Sequence, residues 1–521
     1  MHDYPKQKKI AFNLYKAIPK NPYYFWGVMS IYMQAIEMTD QNMANKIILP
    51  LAEKMCEKFY LENKFEAENE IELYLMILEK QNKISEMIQV IDSQVGQSKL
   101  KDSLGFVSYR KVELLKLEKR FDEAFELLLN LIKNHIDRYN YYLEAFDFIP
   151  ECNKSSQELL ESLWNVVIDN CSPPEVDSSS DNYFRGRKSR GPFIVKIVLA
   201  QKILENSEKF SSFIEKHNEI SLPNYVRNLF LEFFEVFGHK VVCFKDMHFI
   251  FQKLKLDSKF IDELLLQFQV SVSKLELNNL DDIHRYICYL YLKFYISKSD
   301  ENWKFLQDNK EQLFDKHLKV YKILKKTKLD KDIENGGKKI PLDMVQLNEK
   351  EQCPFDAIIH LFTLYFSNGI DLYDDTKAEE FSLDLLSFLE MALQKNDMDF
   401  YSKLFLVRLY ASLGAGSICY QLFQELEVKH VLLDSLGFQF MQPILTSGRF
   451  DLSRKFMSQM SSLYKGDKNE QSEYLVTCYR YSSFSKVAES NEFFDKLHNS
   501  IQHHLYFAER FSIFSMIDIK E

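Results

Sequence analysis

Leu385, Cys419, Ser453 and Val487 follow one another at intervals of 34 residues. A spacing of this length is that of a helix–turn–helix unit repeated along the chain. Such a unit cannot bury its apolar face alone, so successive copies must stack. The same register places Leu406, Phe440 and Tyr474 on the core side of first helices, with Tyr410, Ile444 and Cys478 at a further first-helix site. Gly414-Ala415-Gly416 and Gly448-Arg449-Phe450 then supply the turns before the second helices. Leu385 and Val487 are large for a position where helices approach closely, so the stacked helices are read from the whole pattern rather than from any one repeat boundary.

Upstream, apolar residues recur at helical spacing. Ile10, Phe12, Leu14, Tyr15 and Ile18 form the apolar side of a short helix, and Phe25, Met29, Tyr32, Met33 and Ile36 form that of the next. Between them Asn21 is expected to cap the second helix, with Pro22 in its first turn, where no backbone N–H is needed. Ile71, Tyr74, Leu75 and Leu78 make one face, and Ile84, Met87, Ile88 and Ile91 the next. Val112, Leu115 and Leu117 lead into Arg120-Phe121-Asp122-Glu123-Ala124, followed by Leu128, Leu131 and Ile132. An aromatic, two acids and a small residue in that order resemble the second-helix start of a tetratricopeptide repeat, and Met87 holds the matching place 37 residues before Ala124. The expected fold is all-α: a right-handed, tetratricopeptide-like superhelix of antiparallel helix pairs. Its expected divisions are helical repeats over 1–171, a polar and basic loop over 172–192, and an irregular helical middle over 193–325. Leu229, Phe230, Phe233, Phe234 and Phe237 form a buried helix in that middle, and Ile287, Tyr289, Leu290, Leu292 and Phe294 suggest another. A linker over 326–355 and repeats over 356–521 complete the chain.

Composition bears on function mainly by exclusion. The 521 residues carry a net charge of −10, which argues against non-specific nucleic-acid binding by the chain as a whole. Eight cysteines are scattered without a C-x-x-C pair and no signal peptide is visible, which predicts a reduced, cytoplasmic protein. The apolar run Phe193–Ala200 is too short to span a bilayer and contains Lys196. No phosphate-cradling glycine loop, G-x-S-x-G elbow or H-E-x-x-H motif is present. Cys243 and His248 lack a second ligand pair, and His503 and His504 point to different sides of a helix, so no metal site is expected.

Two basic clusters stand out against the acidic chain. Arg185, Arg187, Lys188 and Arg190 lie in the loop, and Lys325, Lys326 and Lys328 lie in a run from Lys319 to Lys331. They are read as solvated charge or helix-end compensation, with phosphate contact, to RNA or an inositol phosphate, as the functional alternative. Tyr23-Tyr24-Phe25-Trp26 reads as packing between repeats. Adjacent aromatics on a helix cannot all face one way, so Tyr23, Tyr24 and Trp26 are also candidate partner contacts.

The stretch Ile18-Pro19-Lys20-Asn21-Pro22-Tyr23-Tyr24-Phe25-Trp26, with Leu49-Pro50-Leu51-Ala52-Glu53-Lys54-Met55, resembles the auxiliary subunits of NatB N-terminal acetyltransferase complexes. Arg190-Gly191-Pro192, Cys243-Phe244, Leu413-Gly414-Ala415 and Lys429-His430 fit the same family. Relative to it the chain is expected to be truncated at both ends. The resemblance implies a non-catalytic scaffold that holds a catalytic subunit of the GNAT fold, and adds Phe244, Lys429 and His430 as partner-contact candidates. It implies that acetyl-CoA is bound by that partner, with no cofactor on this chain. It further implies substrates that are nascent chains beginning Met-Asp, Met-Glu, Met-Asn or Met-Gln, met beside the ribosome, with no role at a membrane or on specific DNA. Gly414-Ala415-Gly416 has the glycine spacing of a GNAT pyrophosphate loop, but Ala411 stands where Gln or Arg is required. The competing reading is a free-standing peptide-binding adaptor or co-chaperone, which would need a clamp of cations that the regular units lack.

Overall fold

The computed structural model describes residues 3–102, 104–172, 188–240, 242–275, 280–296 and 400–518. Between 322 and 394 it describes 322, 325–326, 328–330, 333, 383, 385–391 and 393–394. Among the described residues all regular structure is helical. Two compact units divide the chain, one combining Met1–Leu131 with Tyr410–Glu521 and the other formed by Ile132–Leu409.

The first unit opens with α1 (Tyr4–Ala17), α2 (Asn21–Glu37) and α3 (Gln41–Met43). A π-helical turn (Ala44–Ile48) then leads into α4 (Leu49–Leu61). They are followed by α5 (Glu68–Lys80), α6 (Ile84–Asp92), α7 (Gln94–Lys99), α8 (Phe106–Leu117) and α9 (Phe121–Asn134), the last running past the unit boundary. The hairpins α5–α6 and α8–α9 close in the same way. Asn82 and Lys119 have φ of 56° and 60°. The next amide then donates back across the turn, from Lys83 to the Leu78 carbonyl at 3.0 Å and from Arg120 to that of Leu115 at 2.9 Å. This is the Schellman arrangement: one left-handed residue ends the first helix and satisfies its orphan carbonyls. The second helices start at Ile84 and Phe121, and their fourth residues, Met87 and Ala124, are fully buried.

The later part of this unit repeats the device. Its helices are α18 (Phe400–Ser412), which begins before the boundary, α19 (Gly416–Glu425), α20 (Val431–Thr446), α21 (Phe450–Arg480), α22 (Phe484–His498) and α23 (Ile501–Asp518). Gly414, Gly448 and Ser482, spaced by 34, have φ of 70°, 70° and 53°. Ala415 donates to the Tyr410 carbonyl at 2.8 Å and Ser483 to that of Cys478 at 2.9 Å. Cys419, Ser453 and Val487 are the fourth residues of their helices and are buried, as is Leu385. The buried Ser453 hydroxyl donates to the Arg449 carbonyl at 3.1 Å.

Several expectations need correction. Tyr474 is 47% exposed rather than core, because α21 continues unbroken for 31 residues and turns Cys478 inward instead. Leu117 ends α8 and is 66% exposed. Asn21 does not cap α2. The helix starts one residue earlier than expected, after Lys20, and the buried Asn21 amide reaches the Lys64 carbonyl at 2.8 Å and Glu70 at 3.2 Å. Glu70 also accepts from the Glu66 amide at 2.7 Å, and burial raises its pKa. That side-chain bridge ties the start of α2 to the start of α5. Gly27 is required where α1 crosses α2: a Cβ there would meet the Phe12 ring at 2.4 Å.

Unit one closes on itself. Helix α22 packs on α5. Asn491 donates to the Tyr4 hydroxyl at 3.3 Å and to Glu37 at 3.2 Å, while the Tyr4 hydroxyl also donates to Glu37. Asn69 donates to the Tyr481 carbonyl at 3.4 Å. Residues separated by more than four hundred positions therefore share one core.

The second unit holds α10 (Tyr139–Phe148), α11 (Ser156–Cys171), α12 (Arg190–Glu205), α13 (Ser211–Lys216), α14 (Tyr225–Phe237), α15 (Cys243–Leu254), α16 (Ser258–Ser273) and α17 (Leu280–Ile296). Helix α12 is apolar on nearly every side and packs against α10, α11, α14 and α15, which explains the run Phe193–Ala200. Among the described residues no helix is long and apolar enough to cross a membrane. Phe230 stacks on Phe251 at 5.2 Å and Phe234 on Phe268 at 4.5 Å, so the phenylalanine face of α14 is core, as its spacing predicts.

The shared turn makes a direct test. An L-residue in the left-handed region is disfavoured by roughly 1–2 kcal/mol relative to glycine, partly offset by glycine's larger unfolded-state entropy. Ser482→Gly and Lys119→Gly should each raise stability by about 0.5–1 kcal/mol, and Gly414→Ala should lower it by a similar amount, read as shifts in urea midpoint.

Candidate partner-binding surfaces

The apolar side of α1 is covered only in part: Phe12 and Tyr15 pack on Tyr24 of α2. Ile10 and Leu14 are 52% and 38% exposed, although their spacing predicts burial. With Gln7 and Ala11 they form one wall of a groove of about 480 Å³. Trp26 and Ser30 of α2 form its floor, and Ser472, Leu475, Val476, Tyr479 and Arg480 of α21 form the other wall. The Trp26 ring meets Tyr479 edge-on at 6.5 Å and Tyr23 at 5.0 Å. Its indole N–H is buried without an acceptor, which is costly for a donor removed from water. Burial raises the pKa of the Tyr479 hydroxyl to about 12.

The neighbouring aromatics divide as helix geometry requires. Tyr24, half-buried, stacks on Phe59 at 4.3 Å and donates to the Met55 carbonyl at 3.1 Å. Tyr23 and Trp26 lie on the other side of α2.

A second cleft, of about 400 Å³, contains Lys429 and His430 together with Phe423, Gln424, Glu427, Val428, Leu433, Gln459, Ser462 and Leu463. Glu427 and His430 both have positive φ, 49° and 51°, in the loop that joins α19 to α20. Lys429 pairs with Glu427 at 3.5 Å, both exposed. Lys429 and His430, far from Trp26 in sequence, thus form a separate surface in the same unit.

The remaining candidates are scattered. Phe244 packs between His248 and Tyr291, at 5.8 and 5.1 Å, inside unit two. Arg190 is not a loop cation: it opens α12 and pairs with Asp246, both partly buried. Next to it the Gly191 amide donates to Asp137 at 2.8 Å, and a Cβ at 191 would lie 2.6 Å from the Asp137 carbonyl oxygen. Lys188 is exposed, whereas Arg185 and Arg187 lie outside the described residues. Lys326 is exposed and Lys325 and Lys328 are half-buried, while Lys319 and Lys331 are outside. Cys243 is a buried free thiol hydrogen-bonded to that of Cys288, while His248 lies against Gln252 at 2.8 Å. Gly414-Ala415-Gly416 is spent on a helix-pair turn, with Gly416 bonded to Gly414 at 3.0 Å.

His239 and His284 form a half-buried pair in unit two. The His239 carbonyl can only accept, so Nδ1 of His284, at 3.0 Å, carries the proton. Nε2 of His284 and Nδ1 of His239 are buried without partners. Burial lowers the pKa of both rings, against the pull of Asp281, and Arg285 and Lys240 push His239 the same way as burial.

A family model described as "N-acetyltransferase B complex (NatB) non catalytic subunit" matches residues 139–520. The chain belongs to the family of NatB non-catalytic subunits. A second model, "Psidin, N-terminal TPR repeats region", matches residues 1–132 of this NatB-family chain. It is 27% identical to the human N-alpha-acetyltransferase 25, NatB auxiliary subunit, over 96% of this chain and 49% of that protein. It is 26% identical to the Phagocyte signaling-impaired protein of Aedes aegypti, over 96% and 50% of the two chains. It thus spans about half the length of the curated relatives it matches. A structure of the NatB acetyltransferase complex with a bisubstrate inhibitor matches at a TM-score of 0.58 and 16% identity, over 98% of this chain and 54% of that one. A structure of Naa15/Naa10 bound to HypK-THB matches at 0.54 and 12%, over 99% and 66%. At these identities the structures support the tetratricopeptide-like fold.

Two tests follow from the geometry. Trp26→Phe keeps a ring and removes the orphan donor, so stability should change by less than about 1 kcal/mol. Trp26→Ala should lose about 3 kcal/mol. The histidine pair binds protons less readily folded than unfolded. Its contribution is therefore complete above the unfolded pKa of about 6.5 and is lost as pH falls through the lower folded values. Urea midpoints should drop between pH 7.5 and 5.5, and His284→Asn, which keeps a donor to the His239 carbonyl, should flatten that drop.

Proposed function

We propose that this chain is the scaffold of an N-terminal acetyltransferase complex of the NatB type, holding a GNAT-fold catalytic subunit that itself binds acetyl-CoA. The family match over residues 139–520 carries the reading. The structure supports it in kind. Stacked helix pairs create long apolar surfaces, and the sequence holds no catalytic or phosphate-binding motif of its own. Substrates are proposed to be chains beginning Met-Asp, Met-Glu, Met-Asn or Met-Gln, acetylated beside the ribosome in the cytoplasm. Lys188 and Lys326, both exposed, are the proposed RNA contacts, together with Arg185 and Arg187 of the same basic sequence cluster as Lys188.

The test is an acetylation assay on Met-Asp and Met-Glu peptides with acetyl-CoA. The chain with its catalytic subunit should be active, and the chain alone should not. Activity of the chain without a partner would overturn the scaffold reading. For the ribosome, changing Arg185, Arg187 and Lys188 together to Ser should weaken sedimentation with ribosomes and flatten its salt dependence by about one unit of slope per lost phosphate contact. Unchanged sedimentation at every salt concentration would remove these residues from the proposed contact.

A further inference from the structure

The groove between α1 and α21 has two properties that together select an occupant. Its walls are apolar and open, since Ile10 and Val476 are 52% and 58% exposed. None of its lining residues is acidic, in a chain whose net charge is −10, and its rim carries Arg480, exposed and without an ion-pair partner among the described residues. Lys6, also exposed, flanks the α1 wall one residue before Gln7. A lipid tail has no charge to pair with Arg480, and a basic segment would meet it with like charge.

We infer that this groove binds an acidic amphipathic peptide segment of a partner protein. Apolar side chains of the segment lie along Ile10, Leu14 and Val476, and a carboxylate pairs with Arg480. This is the helix-in-groove mode of recognition, in which anchors at helical spacing give affinity and rim charge gives selectivity. The inference goes beyond the scaffold role and does not depend on it, because the groove is built wholly from the first unit of this chain.

The probes are two labelled 18-residue amphipathic peptides with the same leucine face, one carrying glutamate and the other lysine on its flanks. Fluorescence anisotropy is read with the full 521-residue chain. The glutamate peptide should bind saturably and about tenfold or more tighter than the lysine peptide, with affinity falling as salt rises. Val476→Asp should abolish binding. Arg480→Glu should remove the preference or invert it. Both side chains are exposed, so an unchanged melting temperature confirms that the fold survives. Equal binding of the two peptides, no saturable binding of either, or full binding by Val476→Asp would overturn the inference. So would a concentration-dependent dimer that Val476→Asp dissociates, since that would place a second copy of the chain in the groove.

Discussion

The turn that joins paired helices depends on a single residue in the left-handed region and, in four of the five turns, on a backbone hydrogen bond that spans it. Asn82, Lys119, Gly414, Gly448 and Ser482 all occupy that region, and two of them are glycines. Once the first helix ends this way, the start of the second is set, and with it the residue that faces the partner helix. That is why the fourth residues Met87, Ala124, Cys419, Ser453 and Val487 are all buried despite their different sizes. Size is adjustable at this position because the stack absorbs it locally, whereas the turn conformation is not.

This constraint also explains what could be read from sequence. The intervals of 34 and 37 between turns survive in the residue pattern because the turn and the fourth position recur together. The phenylalanine face of α14 and the buried run of α12 were legible for the same reason, since apolar spacing records burial directly. Asn21 was misread because a side chain that caps and one that reaches a distant carboxylate look alike in sequence, and only the placement of Glu70 decides between them. Tyr474 was misread because nothing marks that two expected helices fuse into α21.

The candidate surfaces were legible only in part. Trp26, Lys429 and His430 do line concave surfaces, but the groove around Trp26 has a second wall supplied by Leu475, Val476 and Arg480, more than four hundred residues away. No local pattern links α21 to α1. The one signal was negative: α1 has an apolar side, yet its neighbours in sequence already bury theirs against one another. Arg190 shows the opposite failure, a loop-like basic cluster whose last member is consumed by Asp246 inside the fold.

The proposed role makes the chain a rigid support whose chemistry is supplied by another subunit. The most direct measurement is the mass of the species obtained when this chain of 61.9 kDa is coexpressed with a NatB catalytic subunit and passed through size-exclusion chromatography with light scattering. The account predicts one peak whose mass equals one copy of each, stable to dilution. Separate elution of the two proteins, with the helical chain folded and alone, would contradict it.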